Sequence, residues 1–136
     1  MGMSAYLSQK IMGQFMNAVA YTWPTTVYFG LFTVQPSSGV GGTEASYTGY
    51  ARVAMTPGTT DFTAVSTSGE ISNAVAITFP QNTGSAETVV GYGLFDALTA
   101  GDLLTDNLLT TSQTINTDAT PSFAVGAFTL TATINP

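Results

Sequence analysis

Two basic and eight acidic side chains carry whatever ionic chemistry this 136-residue chain can do. The cations are Lys10 and Arg52; the carboxylates are Glu44, Asp61, Glu70, Glu87, Asp96, Asp102, Asp106 and Asp118. Histidine and cysteine are absent. Proton transfer near neutral pH relies above all on a side chain with a tunable pKa, histidine first. Thiolate chemistry and thiolate metal sites need cysteine, and phosphate clamps are built from Arg or Lys. Two facing carboxylates can hydrolyse a glycosidic bond, but no pair here sits in a signature. Most lie beside Gly, Thr or Ser in turn-like sequence. Asp96, Asp102 and Asp106 bracket Gly101 in DALTAGDLLTD, without the alternating ligands and closing Glu of an EF-hand. That segment reads as a hairpin connection in which Gly101 supplies a positive φ. Arg52, the only arginine, lies in the strand-like run GYARVA. It is either a solvated side chain or a planar fork on a carboxylate, and Asp96, at the end of GYGLFD, is the expected partner. Trp23, Tyr21, Tyr47 and Tyr50 are either core residues or an exposed sugar- or partner-binding patch. No catalytic residue, cofactor site or metal site is expected, and the chain does not read as an enzyme.

Charge narrows the partners. The net charge is -6 and the isoelectric point about 4.1. Nucleic-acid binding gains most of its affinity by neutralising phosphates, so two cations among eight carboxylates exclude that class. A polybasic membrane anchor is excluded for the same reason. No uncharged apolar run is long enough for a spanning helix, and no basic region precedes the N-terminal apolar patch as in a secretory signal. Yet only 7% of the residues are charged, against 44% hydrophobic. A free soluble domain carries roughly 25–35% charged residues on its surface. A surface of Thr, Ser, Gly and Asn is comfortable when neighbours cover much of it, so an oligomer or lattice is expected.

The elements that position these residues follow from periodicity. One β-rich domain over 1–136 is expected, with a helix at 4–20 and strands within 26–134. Ser4 is the expected N-cap. Leu7, Ile11, Met12, Phe15, Met16 and Val19 form a 3.6-period stripe. Leu7, Ile11, Phe15 and Val19 are expected to bury against the sheet or a neighbouring subunit. Trp23 and Pro24 end this segment. Strands are expected at Thr26–Val34, Tyr47–Met55, Ala74–Phe79, Thr88–Asp96, Leu103–Leu109, Gln113–Asn116 and Ser122–Ile134, with a weak one near Phe62–Val65. Gln35–Gly42 reads as a loop. The fold class is therefore mainly β, an antiparallel sandwich or barrel with one N-terminal amphipathic helix. Tyr28–Thr33 (YFGLFT) and Gly91–Asp96 (GYGLFD) share Gly-Leu-Phe. This is either ordinary strand vocabulary or the mark of two strands lying side by side, where Gly admits the partner's aromatics.

Several segments read together. They are the SxYLxxxxMxxFM helix, TWPTTVYFGLFTVQP, GGTEASYTGYARV, NAVAITFPQNTG, GYGLFDALTAGDLL and the Phe-rich SFAVGAFTLT. Over roughly Ser4 to Thr131 the chain resembles a family of tailed-phage virion proteins, often labelled tail fibre or minor structural protein. Related β domains serve as capsid decoration. The resemblance implies a structural role in a virion and brings no catalytic residues. The leading expectation is a decoration or cement protein on the outer head surface, contacting the major capsid protein and its own copies as a homotrimer. A tail-fibre or tail-tip module contacting a host receptor is the alternative, and a small carbohydrate-binding β domain is the alternative of another class. Leu7, Ile11, Phe15, Trp23, Arg52 and Asp96 are the interface or structural candidates.

Overall fold

The computed structural model describes residues 2–131. The fold is mainly β, with antiparallel sheets and a single N-terminal helix. Strand β1 (Gly2–Met3) leads into helix α1 (Ala5–Asn17). Ser4 is the N-cap: its Oγ accepts from the Leu7 N–H at 3.1 Å. Its own N–H donates to the Leu104 carbonyl at 2.8 Å, so the start of the helix is tied to the sheet. The helix ends at Asn17, short of the expected Ala20. Ala18 turns left-handed (φ 52°), and the Val19 N–H returns to the Gly13 carbonyl. That closure satisfies an orphan carbonyl and stops propagation.

The main sheet has six strands. Its path runs β1, β8 (Leu103–Ile115), β7 (Glu87–Phe95), β2 (Val27–Val34), β3 (Thr43–Glu44), with β4 (Val53–Met55) also paired to β2. β3 and β4 thus divide one edge of β2: β4 pairs Val27–Phe29, and β3 pairs Phe32 and Val34. Two short pairs complete the fold, β5 (Glu70–Ser72) with β10 (Thr129–Thr131), and β6 (Ile77–Thr78) with β9 (Ser122–Phe123). They supply Phe62, Ile77, Phe79 and Phe128 from nearby chain to one core, where these residues meet Phe29 and Tyr92. Phe29 stands edge-on to Phe128 at 4.8 Å. A bulge at Val89/Gly91 and another at Leu94/Phe95 reset the alternation of β7 and β8. Leu94 and Leu104 therefore face this core, while Phe95 and Leu103 face the other side with Phe32.

The shared Gly-Leu-Phe marks neighbouring strands. β2 and β7 run antiparallel with Gly30 directly opposite Gly93. A Cβ on Gly30 would lie 2.8 Å from the Phe95 ring, and one on Gly93 would lie 2.7 Å from Phe32. Each strand's phenylalanine therefore covers the other strand's glycine, and the two rings meet at 5.8 Å.

Several expected strands are shorter or divided. Of Tyr47–Met55 only Val53–Met55 is strand, because Gly49 (φ 97°) turns the chain. Phe62 makes an isolated bridge to Asn73 and the Thr63 N–H donates to the Ser72 carbonyl, but no strand forms over Phe62–Val65. Leu103–Leu109 and Gln113–Asn116 merge into β8. Ser122–Ile134 breaks into β9 and β10 around a turn at Gly126 (φ 76°), and its end beyond Thr131 lies outside the described residues.

Candidate functional site

Two features stand out, a polar centre and an apolar surface. The polar centre lies where β3 and β4 part on the edge of β2. Leu31 N–H has no strand partner there and donates to the Tyr50 hydroxyl at 3.0 Å, so a phenol completes the ladder. Tyr50 in turn donates to Glu44 Oε1 at 2.7 Å. Arg52 grips the same carboxylate with both prongs, Nε to Oε1 at 2.8 Å and Nη2 to Oε2 at 2.7 Å. Its Nη1 donates to the carbonyls of Ala97 (2.7 Å) and Ala100 (2.8 Å) in the β7–β8 hairpin. The guanidinium lies 3.5 Å from the centre of the Phe95 ring. Planar, five-donor geometry makes arginine the residue for such a task. Only 7% of its side chain is exposed, against 27% for Glu44. Burial pushes the Tyr50 phenol pKa up, and its bond to Glu44 pushes the same way; the Leu31 N–H and Arg52 pull down more weakly. Gly30 makes room for the cluster, since a Cβ there would also lie 3.0 Å from Glu44 and 3.1 Å from Tyr50.

This corrects the expected Arg52–Asp96 pair: the partner of Arg52 is Glu44. Asp96 closes its own hairpin instead, its Oδ1 accepting from the Asp102 N–H at 2.7 Å. Short-range turn closure competes well with a longer-range ion pair for an Asp at a strand end. Gly101 has the expected positive φ (70°), and Ala100 shares it (53°). Sequence reasoning missed the roles of Glu44 and Tyr50 beside Arg52. The signal was their nearness to Arg52 within GTEASYTGYAR, where a sharp turn returns one side chain to the other.

The cluster borders a cleft of about 370 Å³ that Leu98 and Thr99 also line. Glu44 is committed to Arg52 and Tyr50, and Arg52 to Glu44 and two backbone carbonyls, so the cleft is bordered by a staple. Among the described residues, no three His, Cys, Asp or Glu side chains gather as a metal cluster would.

The apolar surface begins on α1. Leu7 and Ile11 are half-buried, and Leu7 packs on the core. The outer half of the stripe does not bury against the sheet as expected. Phe15 is 82% exposed, and Met12, Met16 and Val19 are exposed beside it. The helix is tied down at Ser4 and touches β1 and β8. Among the described residues, its main contacts are with these two strands, and its later turns stay exposed. Trp23 is half-exposed and stands edge-on to Tyr21 at 4.7 Å. Tyr47 and Tyr50 form a separate, largely buried pair, so the four aromatics make no single patch. Between Leu7, Tyr21, Trp23 and the sheet lies an apolar hollow of about 350 Å³.

Among the described residues the chain is thus a β body stapled at a polar centre, with an exposed apolar face on its helix. The family model described as Gp80, podophage GP4 fiber I protein gp80, matches residues 2–131. The chain belongs to this phage fibre family and is a structural component of a virion. A search of curated proteins finds no match.

Proposed function

We propose that the chain is a non-catalytic building block of the tail-fibre apparatus, held in the particle through apolar surface. The observation that carries fibre over head is the match to a fibre family across residues 2–131. This reverses the order of the sequence-based expectation, which favoured head decoration. The structural half of the reading is supported by the arginine staple, which engages the most elaborate polar group of the chain with its own backbone. It leaves no nucleophile–base pair there.

Cryo-electron microscopy of the intact particle tests this. A small number of copies at the tail is the expected result. Hundreds of copies on the shell, with stripped particles losing DNA at lower temperature, would overturn it in favour of a cement protein. Such a protein stabilises the shell by binding only its assembled form.

A further inference from the structure

Helix α1 is wrapped by the segment that follows it and only lightly seated on the sheet. None of its residues is buried. Of its side chains, Tyr6 and Leu7 pack on the main core. The Ala5 N–H reaches the Ser38 carbonyl at 3.5 Å, and ahead of it the two residues of β1 pair with Thr105 and Asp106. The left-handed turn at Ala18 then sends residues 18–24 back beside the helix. Tyr21 stands edge-on to Tyr6 at 6.4 Å. Lys10 Nζ lies 5.2 Å from the centre of the Tyr6 ring and 5.7 Å from that of Tyr21. A cation over two aromatic rings draws them together, so helix and return segment are joined to each other.

The seam between this unit and the sheet is loose. The hollow of about 350 Å³ lies in it, with Leu7, Tyr21 and Trp23 on one side and Leu94, Leu104 and Thr105 on the other. A gap forfeits the dispersion contacts that would bind its walls. Thr105 is 1% exposed, and its Oγ1 has no hydrogen-bond partner among the described residues. Such a hydroxyl is penalised while the seam is closed and regains water when it parts. We propose that residues 2–24 form an arm that undocks from the β body as one unit, hinged at the bend of Thr25–Thr26, at a free energy well below that of global unfolding. Contiguous units with few buried apolar contacts open in this way. Once off the sheet, a helix of 13 residues is marginal in water and melts. Opening bares Leu104, Thr105 and the part of the β8 edge that β1 covers. Among the described residues no strand covers that edge from Asn107 to Ile115. The open state therefore presents one unpaired edge along the length of β8.

The chain carries its own reporters. Lys10 and Arg52 are its trypsin sites, the first in the arm and the second in the staple, where its side chain is 7% exposed. The sole tryptophan, Trp23, is also in the arm. The test is limited digestion of the native chain with trypsin, read by mass spectrometry. Cleavage tracks the population of the opened form, so the cut after Lys10 should run at least about tenfold faster than the cut after Arg52. In urea, Trp23 fluorescence should change before the β-sheet circular dichroism does, where a single cooperative unit gives coincident transitions. Thr105→Val removes the unpaired hydroxyl from a residue outside the arm. It should slow the Lys10 cut by about fivefold, whereas fraying within the helix is indifferent to it. Leu7→Ala should speed the Lys10 cut and leave the urea midpoint of the sheet in place. Equal cutting after Lys10 and Arg52, coincident transitions, a Lys10 cut unchanged by Thr105→Val, or a sheet midpoint that falls with Leu7→Ala would each overturn the proposal. These readouts use the isolated chain and are independent of where it sits in a particle.

Discussion

Replacing Arg52 by methionine removes four hydrogen bonds at once while keeping most of the side chain's volume. Glu44 loses both prongs of the fork and retains only the Tyr50 hydroxyl, and the Ala97 and Ala100 carbonyls lose their donor. Removing one member of a buried ion pair costs about 3–5 kcal/mol. Glu44 is 27% exposed, and water regains part of its carboxylate, so the low end of that range applies. The expected loss is about 3 kcal/mol, or about 10 °C in melting temperature for a chain of this size. Urea denaturation followed by circular dichroism measures it, and a double-mutant cycle assigns it. Arg52→Met with Glu44→Gln should show coupling of at least ~1 kcal/mol, and Arg52→Met with Asp96→Asn should show less than ~0.5 kcal/mol. A loss below ~0.5 kcal/mol for Arg52→Met, or stronger coupling to Asp96 than to Glu44, would refute the staple.

Other outcomes follow from the same geometry. Phe15→Ala should change the stability of the isolated chain by less than ~0.5 kcal/mol, as at other exposed sites, in contrast to the ~3–5 kcal/mol of a core phenylalanine; equilibrium unfolding decides. Gly30→Ala forces a Cβ against Phe95, Glu44 and Tyr50 and should cost about 1–3 kcal/mol, the range of overpacking. Asn73 is fully buried, donating to the Val75 and Ala124 carbonyls and accepting from the Phe128 N–H; Asn73→Leu should lower the denaturation midpoint by an amount equal to ~2–4 kcal/mol. The Tyr50 pKa is raised in the folded state, so the folded chain holds a proton that the unfolded chain releases above pH ~10. Stability should be fully present below that pH and fall as pH rises beyond it, and Tyr50→Phe should flatten this alkaline slope.

The helix start, β2 and β7 were legible because each has a strong local signal, whereas the shared Gly-Leu-Phe left ordinary strand vocabulary and side-by-side pairing both open. Ser4 precedes a 3.6-period stripe, and β-branched and aromatic residues crowd Val27–Val34. What escaped depended on turns and distance. Gly126 divides a run that reads as one long stretch of strand vocabulary, since a positive φ leaves no mark in hydrophobicity. The extent of burial along α1 was also hidden. Periodicity identifies an apolar face but carries no information on how far the sheet reaches beneath it. The Arg52 partner was misjudged because Glu44 and Asp96 are both carboxylates at strand ends, and only the turn at Gly49 brings the former into reach.

The crossed covering of Gly30 by Phe95 and of Gly93 by Phe32 links positions that are far apart in the chain. A methyl at either glycine requires the opposing ring to shrink or shift, and a smaller side chain at 32 or 95 opens a void above bare backbone. Neither member can therefore drift alone without loss. Across descendants of this sequence the two pairs, 30 with 95 and 93 with 32, should change together. Reciprocal swaps such as Gly30→Ala with Phe95→Leu should be tolerated better than the first substitution by itself. A single lineage would thus inherit these four positions as two linked characters, and their joint variation would report the strand register without any structure at all.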